Sequence, residues 1–235
     1  MIPWIKTAKD FPPVEQALHE PNGLLCSGGT LAPPIILAAY TKGIFPWFSA
    51  GQPVLWWSPD PRMVLIPSHC RVTKSLAKTI RSDKFETRFD TAFTEVIHAC
   101  AAPREAGGGT WIVEGIQSAY TALHLLGYAH SVETWRDGEL VGGLYGIALG
   151  RVFFGESMFS RETDASKVAL VALVEKLKAD GFELIDCQQE TRHLASMGAA
   201  PITRREFTAK LKELISASAA PAPSTYWSVT THEQT

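Results

Sequence analysis

Residues 164–188 read DASKVALVALVEKLKADGFELIDCQ, and this stretch gives the clearest indication of the fold class. Asp164 is a favoured N-cap residue, the apolar residues after it have helical spacing, and Gly181 is a favoured residue just past a helix end. The following FELIDCQ has the apolar character of a buried strand. A helix that leads directly into a buried strand, beside further strands, predicts an α+β (α/β layered) fold with the sheet at its centre.

Three strands are predicted immediately upstream of this helix. AHSVETW (129–135) and ELVGGLYGIALG (139–150) are joined through an Asp-Gly pair, which is a strong signal for a two-residue hairpin. A second turn leads into VFFGESMF (152–159). The sequence therefore predicts a three-stranded antiparallel meander.

An amphipathic helix is predicted farther upstream. Val72, Leu76 and Ile80 form an apolar stripe at four-residue spacing, and basic residues project to another face. These basic residues are Lys74, Lys78 and Arg81. They form either a solvated surface or a stripe that contacts phosphates. Other helices are predicted over 91–101, 114–126 and 201–215.

Residues 43–62, GIFPWFSAGQPVLWWSPDPR, concentrate aromatic residues and proline. They hold three of the seven Trp and four of the fifteen Pro in the chain. Pro fixes φ and cannot donate a hydrogen bond to a β-ladder, so a rigid extended loop is predicted here in place of a helix or central strand. Its flat side chains are suited either to stacking against a nucleobase or to filling an apolar crevice. Trp47 is the candidate ligand face, and Trp56 and Trp57 are candidates for packing between domains.

Composition limits the classes of function. The 235 residues are 46% apolar, enough for one large domain or two small ones with a real core. A net charge of −2 argues against a nucleic-acid binder that relies on bulk charge, so any RNA contact needs a local patch. The four Cys lack CxxC spacing, and we therefore expect neither a disulfide framework nor a metal site. Without a signal-peptide pattern or a membrane-length apolar run, we expect a cytoplasmic location.

Two strands carry acidic and amide residues in apolar surroundings. The strand LIDCQ places Asp186 and Gln188 on one face and Ile185 on the other, because side chains alternate along a strand. Such polar residues need hydrogen-bond partners, so they belong either to a buried structural network or to a functional site. Glu156 lies in the predicted strand 152–159. If the two strands are adjacent, Glu156 and Asp186 bring two carboxylates to one cleft, which would attract a cation.

Five ordered motifs together resemble the leucyl/phenylalanyl-tRNA protein transferase family over roughly residues 20–210. They are GIFPWF with WWSPDPR in 43–62, GTWI at 109–112, GESMFSR with DASK in 155–167, LIDCQ at 184–188 and HLASMGA at 193–199. The resemblance implies a small N-terminal domain and a catalytic domain similar to the acetyl-CoA-dependent N-acyltransferase (GNAT-like) fold. On this basis we expect an N-terminal domain over 1–62, a catalytic domain over 63–215 and a flexible tail over 216–235.

The resemblance also implies an activity. Members of this family move Leu or Phe from aminoacyl-tRNA to proteins that begin with Arg or Lys, which marks those proteins for degradation, and no cofactor is expected. A smooth apolar pocket would also admit Met, though less well. Two other classes remain open, an acetyl-CoA-dependent N-acyltransferase and a non-catalytic RNA-binding module. The absence of the GxSxG and GxxxxGK patterns argues against a serine hydrolase and a P-loop enzyme.

Site residues follow from the motifs that carry the resemblance. The implied catalytic residues are Glu156, Asp186 and Gln188. The implied wall for the 3′ adenosine of the tRNA is Trp47 and Trp111. The implied aminoacyl pocket consists of Leu144, Phe153, Met158, Leu173, Ile185 and Tyr120. The implied contacts to the tRNA backbone are Lys74, Lys78 and Arg81.

A neutral amide is a poor base, so we expect Gln188 to accept a hydrogen bond that orients the attacking amine. In this hypothesis Asp186 fixes the direction of the Gln188 amide, and Glu156 favours a cationic substrate. A Glu at position 188 would then retain much of the activity.

Overall fold

The computed structural model describes residues 2–102, 110–216 and Trp227. It contains two β-sheets, and helices cover both faces of the larger one, which confirms the predicted α+β class. The strands are β1 (Trp4–Ile5), β2 (Leu24–Gly28), β3 (Phe45–Pro46), β4 (Leu55–Trp57), β5 (Arg62–Leu65), β6 (Glu86–Phe89), β7 (Ala129–Arg136), β8 (Glu139–Leu149), β9 (Val152–Ser160), β10 (Leu184–Gln188) and β11 (Ala200–Ile202). The α-helices are α1 (Pro33–Tyr40), α2 (Lys74–Arg81), α3 (Phe93–Ala101), α4 (Glu114–Leu125), α5 (Ala165–Ala179), α6 (Arg192–Ser196) and α7 (Arg204–Ser216).

The larger sheet has the order β11-β5-β10-β9-β8-β7-β6, and the smaller sheet has the order β1-β2-β4-β3. The predicted meander is confirmed, because β7 pairs antiparallel with β8 and β8 with β9. Helix α5 then connects β9 to β10, and these two strands pair in parallel, as a crossover helix allows. The sequence signal at 164–188 thus corresponds to the crossover helix and to β10, an interior strand of the larger sheet.

Alternating residues of β9 separate two apolar cores. Phe153 packs in the same buried cluster as Leu173 of α5. Phe154 belongs to the cluster that contains Phe93 of α3 and Ile116 of α4. The sheet is therefore covered by α5 on one face and by α3 and α4 on the other.

The segment 43–62 differs from the predicted loop, because it contributes β3, β4 and the first residue of β5. Pro46 lies in β3, which is an edge strand, so its missing N–H costs no ladder hydrogen bond. Trp56 lies in the interior strand β4 and is fully buried, with its indole N–H donating to the carbonyl of Gly28 at 2.9 Å. The prolines shorten the strands of this segment and do not exclude them.

Three local predictions need correction. In α2 only Leu76 of the expected apolar stripe is buried, because the helix begins after Val72, with Thr73 as its cap, and Ile80 stays 37% exposed. Asp164 precedes α5 as predicted, but its side chain accepts a hydrogen bond from Lys167 (2.8 Å) and does not cap the helix. The helix predicted over 201–215 begins only at Arg204, because β11 occupies its start.

The predicted tail over 216–235 lies outside the described residues, except for Ser216 at the end of α7 and Trp227. Trp227 is buried, and its ring stacks on that of His130 with a centroid distance of 4.1 Å. Within residues 2–102 and 110–216, none of the helices combines the length and the apolar character needed to cross a membrane.

Candidate active site

A cavity of about 420 Å³ opens where β9 and β10 diverge. The last paired residues of these parallel strands are Phe154 and Asp186, so Glu156 and Gln188 lie just beyond the paired region. The carboxyl ends of parallel strands are where ligands bind in many mixed sheets. Of the residues predicted from the sequence, those that line this cavity are Trp47, Trp111, Leu144, Phe153, Glu156, Met158, Leu173, Ile185, Asp186 and Gln188.

One wall of the cavity is apolar. Leu144 and Met158 face each other across β8 and β9, and Phe153 pairs with Ile185 across β9 and β10. A Cβ at Gly146 would lie 2.5 Å from the Phe153 ring, so this position in β8 needs glycine for the ring to reach its place. Local pairing and a close backbone approach therefore build the wall.

Tyr120 lies behind the cavity and does not line it. It is fully buried in α4, and its hydroxyl donates to Oε2 of Glu156 at 3.1 Å. Tyr40, which the sequence prediction missed, donates to Oε1 of the same carboxylate at 2.6 Å. The two hydroxyls are 2.5 Å apart. Tyr120 therefore supports Glu156 from behind, which differs from the pocket position predicted for it.

Glu156 is 8% exposed and accepts a third hydrogen bond, from Nε2 of Gln188 at 3.0 Å. Burial raises the pKa of its carboxyl from 4.5 to about 7, against the opposing effect of the tyrosine hydrogen bonds. The nearby Asp186 carboxylate also raises this pKa. Burial likewise raises the pKa of Tyr40 and Tyr120 well above the usual range, so both remain protonated donors. Near neutral pH, Glu156 therefore exists in both protonation states.

This raised pKa predicts a pH-dependent stability. The protonated form of Glu156 is favoured in the folded state, so its contribution is fully present below pH 4.5 and is lost as the pH rises through about 7. We expect the unfolding free energy of the wild type to fall by about 3 kcal/mol more than that of Glu156→Gln across this window. Urea unfolding from pH 4.5 to 8 measures it, with the exposed Glu15→Gln as a control. Parallel curves for the wild type and Glu156→Gln would contradict the prediction.

Asp186 is not a free carboxylate. It is fully buried, and its two oxygens accept hydrogen bonds from Nε (2.8 Å) and Nη2 (2.7 Å) of Arg62, which is 1% exposed. Glu156 and Asp186 both line the cavity, as expected for adjacent strands, and the cation that pairs with Asp186 is the guanidinium of Arg62. The sequence prediction missed Arg62, although an Arg at the start of the apolar strand RMVL is a signal, since a buried Arg requires a partner.

Gln188 departs from the regular alternation of β10. The pairing of β10 with β5 shifts register between Asp186 and Gln188, which makes Cys187 the extra residue of a β-bulge. Gln188 has φ 60°, and its backbone N–H donates to Oδ1 of Asp186 at 2.9 Å. The expectation that Asp186 directs the side-chain amide of Gln188 is thus corrected. Asp186 binds the backbone N–H of Gln188, and Glu156 binds the side-chain amide nitrogen. The amide oxygen is then the group that can accept a hydrogen bond from a ligand.

Trp47 and Trp111 both line the cavity and are partly accessible. Trp47 is 38% exposed and lies edge-on to Trp57, with ring centroids 5.3 Å apart. The indole N–H of Trp57 donates to the carbonyl of Trp47 at 2.6 Å. Trp57 therefore fixes the backbone that presents Trp47 to the cavity.

The three basic residues predicted on α2 lie outside the cavity. Lys74, Lys78 and Arg81 are exposed, and α2 contains no acidic residue. In the part of the chain that the structure describes, none of the three forms an ion pair. Within residues 2–102 and 110–216, no three His, Cys, Asp or Glu side chains form a group that could hold a metal ion.

Two family models match the chain. The model described as leucyl/phenylalanyl-tRNA protein transferase matches residues 64–212, and that of the N-terminal domain of the same proteins matches residues 29–60. The leucyl/phenylalanyl-tRNA–protein transferase of Aromatoleum aromaticum is 64% identical over 211 residues, which are 90% of this chain and 89% of that protein. The protein of the same name from an Azoarcus species is 61% identical and covers 98% of this chain and 97% of its own length.

Two solved structures show distant likeness. A GCN5-related N-acetyltransferase from Kribbella flavida has a TM-score of 0.38 and 12% identity, covering 73% of this chain and 61% of that chain. The structure of L-PGS from Bacillus licheniformis has a TM-score of 0.37 and 12% identity, covering 75% of this chain and 61% of that chain.

Proposed function

Because this chain belongs to the leucyl/phenylalanyl-tRNA protein transferase family and is an aminoacyltransferase, we propose that it moves Leu or Phe, and less well Met, from aminoacyl-tRNA to proteins that begin with Arg or Lys. The α-amino group of the acceptor protein would receive the amino acid. The same proposal includes a cytoplasmic location and the marking of the modified proteins for degradation.

The observation that carries this proposal is that one cavity is lined by the Glu156–Gln188 pair, by a set of apolar side chains and by two Trp. Leu144, Phe153, Met158, Leu173 and Ile185 offer an apolar surface for a Leu or Phe side chain. Trp47 and Trp111 offer flat surfaces for the terminal adenosine of the tRNA. An aminoacyl-adenosine bound between these walls would present its ester near Gln188.

The chemistry needs little acid or base assistance. The ester of aminoacyl-tRNA is already activated, and an α-amine with a pKa of about 7.7 to 8.0 has a useful neutral fraction at pH 7. The amine nitrogen attacks the ester carbonyl, the new C–N bond forms, and the C–O bond to the ribose breaks. The proton lost by the amine ends on the departing ribose hydroxyl.

In this proposal the residues act mainly by orientation. The Gln188 amide oxygen accepts a hydrogen bond from the amine and directs its lone pair to the carbonyl carbon. Glu156, when ionised, polarises that amide through Nε2 and makes its oxygen a better acceptor. Holding amine and ester in attack geometry supplies on the order of 7 kcal/mol or more of barrier reduction.

Selection of the transferred amino acid would be partial. One methylene in an apolar pocket changes the binding free energy by only about 1 to 3 kcal/mol, so Met is admitted at a lower rate. Lys74, Lys78 and Arg81 on α2 would contact the phosphates of the acceptor stem, because they form an exposed basic surface without acidic neighbours on the helix.

A transfer assay separates the proposal from the two other classes. Labelled Leu-tRNA is incubated with the protein and with a peptide that begins with Arg, and the control peptide has an acetylated N-terminus. The proposal expects label on the free peptide only, and no transfer after ribonuclease treatment. Transfer from an acyl-CoA that survives ribonuclease would indicate an acetyl-CoA-dependent N-acyltransferase. Binding of Leu-tRNA without transfer would indicate an RNA-binding module.

Replacing Trp47 tests the adenosine wall. We expect Trp47→Ala to remove about 1 to 3 kcal/mol of stacking and to raise KM for Leu-tRNA by about five- to 150-fold, with kcat changed less. Steady-state transfer kinetics measure both constants. The control is Trp4→Ala, since Trp4 is 64% exposed in the smaller sheet and does not line the cavity. An unchanged KM in Trp47→Ala would show that Trp47 contributes to packing and not to binding of the adenosine.

A further inference from the structure

The buried ion pair beneath the cavity is continuous with the group proposed to orient the amine. We propose that Arg62 is a positioning residue for aminoacyl transfer. It fixes the Asp186 carboxylate, and that carboxylate fixes the backbone turn that directs Gln188 to Glu156 and to the cavity. This inference rests on the proposed function of Gln188.

Hydrogen bonds and aromatic rings together fix the position of the Arg62 guanidinium. Its Nε and Nη2 donate to the two oxygens of Asp186, and its Nη1 donates to the carbonyl of Gly43 at 3.3 Å. The guanidinium lies over the Phe45 ring at 4.8 Å and over the Phe207 ring at 4.6 Å. Only the planar fork of Arg satisfies a bidentate contact and two aromatic contacts at once. Arg62 therefore has one defined position between β3, α7 and β10.

The Asp186 carboxylate links Arg62 to the backbone of Gln188. Its Oδ1 accepts two hydrogen bonds, one from Nε of Arg62 and one from the backbone N–H of Gln188. Both oxygens are bound by Arg62, so the carboxylate cannot rotate without breaking a charged hydrogen bond. The place of the Gln188 N–H is thereby set by an Arg that does not itself line the cavity.

The backbone of Gln188 needs such support. Its φ of 60° is in the left-handed region, which costs free energy for a residue with a long side chain. The other described non-glycine residues with positive φ are Asp83, Asp90, Asp137 and Asp164, and Asp tolerates this conformation better than Gln. The bulge at Cys187 and the bond to Asp186 hold Gln188 in this state. Without the bulge and this hydrogen bond, the Gln188 side chain would no longer be directed towards Glu156.

Arg62→Lys tests the inference, because Lys keeps the charge and loses the planar fork. We expect kcat for Leu transfer to fall about ten- to 100-fold, as for a small misplacement of a reacting group, with KM for Leu-tRNA unchanged. Arg88→Lys is the matched control. Arg88 also pairs bidentately with a carboxylate, that of Glu86, and stacks on an aromatic ring, that of Trp135, but it lies in the edge strand β6. We expect Arg88→Lys to keep the wild-type kcat.

A double-mutant cycle separates positioning from general stability. If Arg62 acts through Gln188, Arg62→Lys should change kcat less than about threefold in a Gln188→Ala background. The same fold-change in both backgrounds would overturn the inference. Phe207→Leu removes one aromatic contact of Arg62 and leaves the ion pair in place. Phe207→Leu should lower kcat by a smaller factor than Arg62→Lys, and this loss should also shrink in the Gln188→Ala background. Phe207→Leu replaces Arg62→Lys in the cycle if Arg62→Lys does not fold.

A structural measurement keeps this inference distinct from the proposed function. Hydrogen exchange of the Gln188 amide, followed by nuclear magnetic resonance, should be about tenfold faster in Arg62→Lys and unchanged in Arg88→Lys. An unchanged exchange rate in Arg62→Lys would overturn the coupling between Arg62 and Gln188. Absence of Leu transfer by the wild-type protein, with coupled exchange intact, would instead contradict the proposed function of the site.

Discussion

Replacing Gln188 by Ala should lower kcat for Leu transfer by about 10²- to 10³-fold and leave KM for Leu-tRNA within about threefold. The change removes the acceptor proposed to orient the amine as charge develops on it, while the cavity walls proposed to bind the aminoacyl-adenosine stay intact. It also removes a donor to Glu156, although two tyrosine hydroxyls continue to bind that carboxylate. The expected loss is therefore in the chemical step.

Single-turnover transfer at saturating Leu-tRNA measures this loss without interference from product release. Gln16→Ala is a suitable control, because Gln16 is exposed near the N-terminus and does not line the cavity. A rate for Gln188→Ala close to that of the wild type would show that Gln188 does not orient the amine. A large rise in KM with an unchanged rate would assign Gln188 to binding of the tRNA.

The second large effect concerns stability. Asp186→Ala should destabilise the fold by about 3 to 5 kcal/mol, because it leaves the buried guanidinium of Arg62 without its charge partner. Guanidinium chloride unfolding measures the change. Asp186→Leu combined with Arg62→Met should recover much of it, because an apolar pair removes the uncompensated charge.

A matched pair on the surface provides the control for Asp186→Ala. Glu86 also binds an Arg through both carboxylate oxygens, but Arg88 and Glu86 are about 30% exposed, where ion pairs contribute about 0 to 1 kcal/mol. We expect Glu86→Ala to cost no more than this. Equal losses for Asp186→Ala and Glu86→Ala would show that the buried pair has no special role in the fold.

Local signals in the sequence predict much of the fold. The meander β7–β9 and the succession of α5 and β10 follow from turn residues and apolar spacing, which act over a few residues. The fold of segment 43–62 does not follow from such local signals. Its prolines favour a loop locally, yet pairing with β2 makes a short strand of Leu55–Trp57. Tertiary pairing outweighs local preference there.

The site is less predictable for a related reason. Motifs identify Glu156, Asp186 and Gln188, but their partners come from distant segments: Arg62 is 124 positions from Asp186, and Tyr40 is 116 positions from Glu156. The apolar strand pattern also does not predict the bulge at Cys187. With this bulge, Asp186 binds the backbone N–H of Gln188 and Glu156 binds its side-chain nitrogen. The sequence thus points to the candidate residues, and the structure shows which hydrogen bonds each one makes.

This assignment changes the expectation for Gln188→Glu. A carboxylate at position 188 would replace the amide nitrogen that now lies 3.0 Å from Oε1 of Glu156. Two carboxylates at that distance repel unless they share one proton, and a shared proton weakens the acceptor that is proposed to orient the amine. We therefore expect this single change to impair transfer, in contrast to the tolerance expected from the sequence. Glu156→Gln restores a donor opposite the new carboxylate.

The double variant Glu156→Gln with Gln188→Glu tests most directly whether these two residues act as one hydrogen-bonded pair. The measurement is its single-turnover rate of Leu transfer to an Arg-initiated peptide, compared with the two single variants. The pair account predicts that the double variant is faster than Gln188→Glu alone by about tenfold or more, because coupled residues in one network are strongly non-additive. A double variant whose loss equals the product of the two single losses would contradict it.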